Sequence, residues 1–166
     1  MKKLTKKWTF PALTLSLLIV LSTALAEPAA DPVSGSGSSI AINEYQFAGS
    51  ATLVIGGEEK SAELLVTVYE LTISDEGIQH VVASHTFTFA DGSITTSDKE
   101  TAEPTDTPGL YKINANMKVV SGTGVYEGVS GHLTAHGNID FRGTIDMPGV
   151  PVASFTLRGA ISSAIE

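Results

Sequence analysis

Cysteine is missing from the 166 residues, which excludes disulfides, a thiol nucleophile and a lipid anchored through a cysteine. Other absences narrow the chemistry further. Tryptophan occurs once, as Trp8, and basic residues number ten against eighteen acidic ones. No serine sits in a G-x-S-x-G elbow, because Gly128-Val129-Ser130-Gly131 lacks the spacer before its second glycine, so hydrolase chemistry has no support. A Walker loop needs Gly-Lys-Ser/Thr, which the chain does not contain. A dinucleotide fingerprint starting at Gly122 would need its third glycine where Glu127 stands, and it would have to open a helix. No helix-period segment of useful length is present.

The N-terminus carries the first positive signal. Lys2, Lys3, Lys6 and Lys7 precede an apolar run from Phe10 to Leu21, and Ala24-Leu25-Ala26 has the small-x-small pattern that a signal peptidase accepts. The run is shorter than the roughly 20 residues of a spanning helix. Residues 1–26 are therefore expected to be a signal peptide that leads to a secreted or periplasmic protein without stable membrane insertion. Its removal takes four basic residues and no acidic ones, leaving six against eighteen. Such a surface disfavours nucleic acid and anionic membranes.

Residues 27–39 mix alanine and proline with Ser34-Gly35-Ser36-Gly37-Ser38-Ser39. This composition buries little apolar surface and predicts a flexible linker. From residue 40 to 166 the pattern becomes an alternation of apolar and polar side chains broken by turn signals, the mark of an all-β domain. Gln46 to Ile55 ends at Gly56-Gly57, a hairpin signal. In Ser61 to Ile73, Leu64, Val66 and Val68 share one face and Leu65, Thr67, Tyr69 and Leu71 the other. Ile78 to Phe89 places Val81, Ala83, Phe87 and Phe89 together. Ser93 to Glu100 reads as a polar strand, and Thr101 to Gly109, with two prolines and no apolar period, as a loop or lid. Leu110 to Ser121, Gly131 to Phe141 and Val152 to Ile161 alternate clearly.

Seven or eight antiparallel strands in one domain suit a single closed β-barrel of calycin-like type, because closure removes exposed edges. A two-sheet sandwich is the alternative that periodicity leaves open. Glycines crowd the stretch Ser121-Gly122-Thr123-Gly124-Val125-Tyr126-Glu127-Gly128-Val129-Ser130-Gly131, which reads as a tight turn or bulge with Tyr126 placed for packing.

The longer run Val120 to Gly137 resembles the segment GGTGxFxGAxG and its following strand in the allene oxide cyclase and dirigent-like barrel superfamily. It departs from that pattern at Ser121 and Ser130. The resemblance implies an eight-stranded barrel with an apolar interior open at one end, assembled as a dimer or trimer. Plant members of that superfamily guide cyclisation or radical coupling of a hydrophobic substrate by fixing its conformation. The matching positions Gly122, Thr123, Gly124, Tyr126, Gly128 and Gly131 are turn and packing residues, so no catalytic residue is carried over.

Candidate chemistry is sparse. His132 and His136 would lie about 13 Å apart along an extended strand and cannot share a metal there. His80 and His85 are an odd number of residues apart and so face opposite sides of a strand. A site built across strands from His132 or His136 with Glu70 or Asp140 is one option, exposed histidines the other. Glu70 interrupts the face formed by Leu64, Val66 and Val68 and is either an interior acid or a strand-end residue that reaches water. Asp98, Glu100, Glu103 and Asp106 fail the calcium-loop spacing. No cofactor or metal is expected. Tyr69, Glu70, Phe87, Tyr111, Tyr126 and Phe141 are the candidate ligand-binding residues of the interior.

Three functions fit these readings: a secreted barrel that binds a small hydrophobic or aromatic molecule, a cyclase or dirigent-type catalyst that confines a reactive substrate, and a structural protein with a filled barrel. A catalyst requires a polar group of perturbed protonation deep in the cavity, whereas a carrier does not.

Overall fold

The computed structural model describes residues 30–162, so the signal-peptide segment lies outside the described residues. Eight strands follow one another: β1 Ala30–Ala41, β2 Gln46–Ile55, β3 Glu58–Ile73, β4 Gln79–Phe89, β5 Gly92–Pro104, β6 Leu110–Gly124, β7 Ser130–Asp140 and β8 Val152–Ser162. Each pairs antiparallel with its neighbours in sequence, and β1 also pairs with β8, which closes the barrel. Closure by β1 decides against the sandwich, since no strand among those described keeps a free edge.

That closing strand corrects the expected linker. Residues 30–39 form most of β1, in register from Val33↔Ile55 to Ala41↔Phe47 on one side and from Ala30↔Ser162 to Ile40↔Val152 on the other. Composition measures what a segment can bury by itself, but β1 is ordered by two neighbours. Its missing side chains are useful there. A Cβ at Gly35 would overlap the Thr52 carbonyl oxygen and lie 2.7 Å from Leu53 Cδ2, and one at Gly37 would lie 2.6 Å from Phe155 Cζ. The glycines leave the space that larger side chains from β2 and β8 fill.

The β2–β3 turn follows the sequence signal. Gly56 and Gly57 have φ of 59° and 93°, both in the left-handed region that a type I′ hairpin demands. The glycine-rich run is a turn as well: it spans the end of β6, residues 125–129 and the start of β7. There Tyr126 and Val129 fold into the core with relative exposures of 7% and 5%.

β5 departs from the sequence reading in the other direction. It extends through Thr101–Pro104, which the sequence placed in a loop or lid, and leaves only residues 105–109 as the connection. Two prolines and several acids hid it, because its inward face carries polar as well as apolar side chains: Ile94, Thr96, Asp98 and Ala102 are all buried.

β3 contains a β-bulge. Val68 pairs with Ala83 but Glu70 pairs with Val82, so Tyr69 is the additional residue. The shift moves Leu71 into register with the inward-packed Val81 and turns Glu70 to the outer side. Glu70 is thus exposed at the rim, as in the reading of it as a strand-end residue that reaches water, and not an interior acid on the face of Val66 and Val68.

The core is concentrated toward the end that carries the β2–β3, β4–β5 and β6–β7 turns. Leu53, Leu64, Phe87, Met117, Leu133 and Leu157 are each at most 3% exposed. Phe89 packs on Tyr126 with ring centroids 5.1 Å apart, and Lys60 Nζ lies 5.6 Å from the Tyr126 ring centroid. This end is closed.

Candidate functional site

The opposite end of the barrel opens into a cavity of about 700 Å³, within the range of small-molecule sites. Its walls come from Phe47, Val66, Val68, Ile113, Ile139 and Phe141. These occupy the upper positions of β2, β3, β6 and β7 or follow β7 directly. The rim is apolar too. Tyr45, Tyr69 and Leu71 line the mouth while staying 55%, 64% and 51% exposed, and Ile42 and Ile73 stand beside them in the chain.

Glu100 reaches this cavity from β5. It is paired in register with Val81 on β4 and Ala115 on β6, and Ala115 is itself opposite Ala135 on β7. The small alanines leave the carboxyl group room instead of covering it. Its side chain is 13% exposed.

Two residues deeper on β5, Asp98 is 0% exposed at its side chain and accepts a hydrogen bond from His85 Nδ1 at 2.8 Å. His85 comes from β4, in phase with Ala83, Phe87 and Phe89. Its ring stacks on Phe87 at 6.1 Å with a 19° interplanar angle, and meets Phe155 edge-on at 6.1 Å. Thr96 ties the two strands below it: its Oγ1 donates to the His85 carbonyl and accepts from the His85 amide, both at 3.3 Å. Glu100 Oε1 approaches His85 Nδ1 to 3.7 Å, an electrostatic contact too long for a hydrogen bond. Asp98 Oδ1 and Glu100 Oε1 are buried without a hydrogen-bond partner among the described residues.

Protonation follows from this packing. Burial alone lowers the pKa of His85, but the hydrogen bond to Asp98 and the charges of Glu100 and Asp98 outweigh it, and the net displacement is upward. Glu100 is pushed up by desolvation and by the Asp98 charge, against the opposing pull of His85. His85 and Glu100 thus both hold their protons more tightly than they would in water.

His85, Asp98 and Glu100 each offer one donor atom within 4.8 Å of the others, a spacing a divalent cation can bridge. In this structure His85 Nδ1 is bonded to Asp98. The arrangement as it stands is a hydrogen-bonded His–Asp pair beneath a carboxyl group that faces the cavity.

The six interior candidates separate. Tyr69, Glu70 and Phe141 line the cavity, Tyr69 and Glu70 at its exposed rim. Tyr111 lies against Phe141, edge-on at 5.3 Å, as part of the wall's support. Phe87 is fully buried beneath the cavity and Tyr126 belongs to the closed end, so neither lies with the other four. The cross-strand pairing of His132 or His136 with Glu70 or Asp140 does not form. His132 is exposed, and His136 bonds Asn114 at 2.8 Å. Asp140 is held by Arg142 at 2.7 Å, which keeps its carboxyl down at about 2.

The sequence reading missed His85, Asp98 and Glu100 as a group. A signal existed. His85 falls in the same alternation as Ala83 and Phe87, and a closed barrel obliges β5 to turn every second residue inward, which puts Asp98 and Glu100 inside together. No family model, curated protein or solved structure matches the chain.

Proposed function

We propose that this is a secreted barrel protein that binds a small hydrophobic or aromatic molecule in the open half of its interior. The observation that carries the reading is the cavity of about 700 Å³, apolar in its walls and entered through an apolar rim. A filled structural barrel would place large side chains at Val68, Ala102, Ile113 and Ala153, where the chain has medium and small ones. Burial of a ligand's apolar surface there contributes about 25 cal/mol per Å², less the cost of immobilising it. The likeness to the allene oxide cyclase and dirigent-like barrels supports the same use of the interior.

Native mass spectrometry of protein purified from its own host tests this directly, reporting subunit number and any co-purified small molecule. The expected result is a bound organic molecule that Val68→Trp excludes while the barrel stays folded. An interior that takes up neither its own ligand nor an apolar fluorescent probe overturns the reading.

A second reading, catalysis by confinement, is favoured by His85, Asp98 and Glu100. A carrier has no need of a proton-holding carboxyl group at the base of an apolar cavity, and a catalyst does. In that case Glu100→Gln lowers conversion of the co-purified molecule by far more than its loss of binding accounts for. Equal conversion by Glu100→Gln and the parent excludes this role for Glu100.

A further inference from the structure

Charge at the two ends of the barrel is balanced differently. At the closed end Lys60 Nζ meets Asp91 at 2.8 Å and Glu58 at 3.5 Å. At the open end the cavity is lined by Glu44, Glu70 and Glu100, and among the described residues no lysine, arginine or histidine lines it. Beneath Glu100 lie Asp98 and His85, so the inner cluster has two carboxyl groups and a single imidazole to oppose them. Asp98 Oδ1 and Glu100 Oε1 are buried without a hydrogen-bond partner among the described residues, although Glu100 Oε1 lies 3.7 Å from His85 Nδ1.

Such a site discriminates among amphiphiles by the sign of the head group. A carboxylate head, as on a fatty acid, would pass Glu44 and Glu70 at the exposed rim and meet the shielded Glu100 with no lysine, arginine or histidine among the described lining residues to receive it, and like charges brought together out of water are costly. A neutral head gains one hydrogen bond. A protonated amine gains a charge-assisted one and supplies the missing countercharge. The walls suit the same ion, since Phe47, Phe141, Tyr45 and Tyr69 surround the path to Glu100 and aromatic faces attract cations.

We propose that the cavity is an amine site: its ligand is a protonated amine on an apolar or aromatic body, with the ammonium group on Glu100 and the body against the walls of the open half. This specifies the ligand class of the binding reading above and rests on it. Asp98 and His85 act as positioning residues, holding the base of the site rigid through their mutual hydrogen bond.

The test is a matched series of 4-phenylbutylamine, 4-phenylbutan-1-ol and 4-phenylbutyrate, titrated calorimetrically into the folded protein at pH 7.5. The amine is expected to bind at least about tenfold tighter than the alcohol, the equivalent of one charge-assisted hydrogen bond, and the carboxylate not measurably. Glu100→Gln is expected to weaken the amine by about tenfold more than it weakens the alcohol, a selective loss that general unfolding would not produce. Val68→Trp, which fills the cavity without touching the acid, should abolish both. If the alcohol or carboxylate binds as tightly as the amine, the amine inference falls while the binding cavity stands. If none of the three binds, both fall.

Discussion

One end of this barrel is packed and the other is hollow, although the same eight strands build both. In the packed end, Leu53, Leu64, Phe87, Met117, Leu133 and Leu157 interdigitate, and Lys60 is neutralised at the surface by Asp91. In the hollow end the walls carry Val68, Ala102, Ile113 and Ala153, and among the described residues three glutamates but no lysine, arginine or histidine line it. The difference shows that closing a β-sheet fixes a diameter but not a filling. Side-chain size at successive inward positions then determines which part of the interior contributes stability and which part is left for a ligand.

The largest effects should come from testing this division by truncation. Phe87→Ala in the packed half should cost about 3–5 kcal/mol, as for other buried aromatic residues, whereas Val68→Ala in the cavity wall should cost under about 1 kcal/mol because it only widens space already open. Urea unfolding of both variants measures the contrast. Equal losses would mean that the open half is as tightly packed as the closed one.

A smaller effect is expected at the seam. Gly35→Val forces a side chain against the Thr52 carbonyl and Leu53 and should destabilise by about 1–3 kcal/mol, in the manner of an overpacked core. Hydrogen exchange should show faster opening of β1 against β2. Unchanged protection there would show that the strand tolerates bulk and that its glycines are not needed for closure.

The mildest contrast is in pH dependence. His85 and Glu100 both have pKa values raised by folding, so the folded chain binds more protons at this site than the unfolded chain, and the linked stability falls as pH rises. The Glu100 contribution is complete below its ordinary value of 4.5 and that of His85 below 6.5. Each is lost as pH climbs through the raised folded value. At the surface, Asp91 beside Lys60 and Asp140 beside Arg142 have lowered values, and they act in the opposite sense, losing their contribution as pH falls below 3.8 toward their folded values. Denaturation midpoints from pH 5 to 9 should therefore decline for the parent and decline less for Glu100→Gln, in which His85 beside Asp98 still contributes. A flat parent profile would contradict the raised pKa values.

Much of the barrel was legible because its apolar strands obey a period of two. β2 follows the predicted Gln46–Ile55 limits, and the Gly56-Gly57 hairpin and the turn around Tyr126 lie where glycine indicated. The errors share one cause. β1 is small and polar, β5 mixes polar with apolar side chains on its inward face, and the β3 bulge at Tyr69 reverses the phase of an interior Glu70. In each of these segments a neighbour supplies what the segment's own pattern lacks. The cluster of His85, Asp98 and Glu100 was hidden in the same way, because it joins a residue from a strongly patterned strand to two from an unpatterned one.

The sequence by itself determined an all-β chain with acidic excess, no thiol chemistry and turns where glycines cluster, since these depend on composition and local backbone preference. Only the tertiary structure decided that a glycine–serine segment seals the barrel, that a bulge turns Glu70 outward, and that His85, Asp98 and Glu100 meet beneath a hollow mouth. Those outcomes depend on register between strands, and register is a property of pairs of segments that neither segment encodes alone.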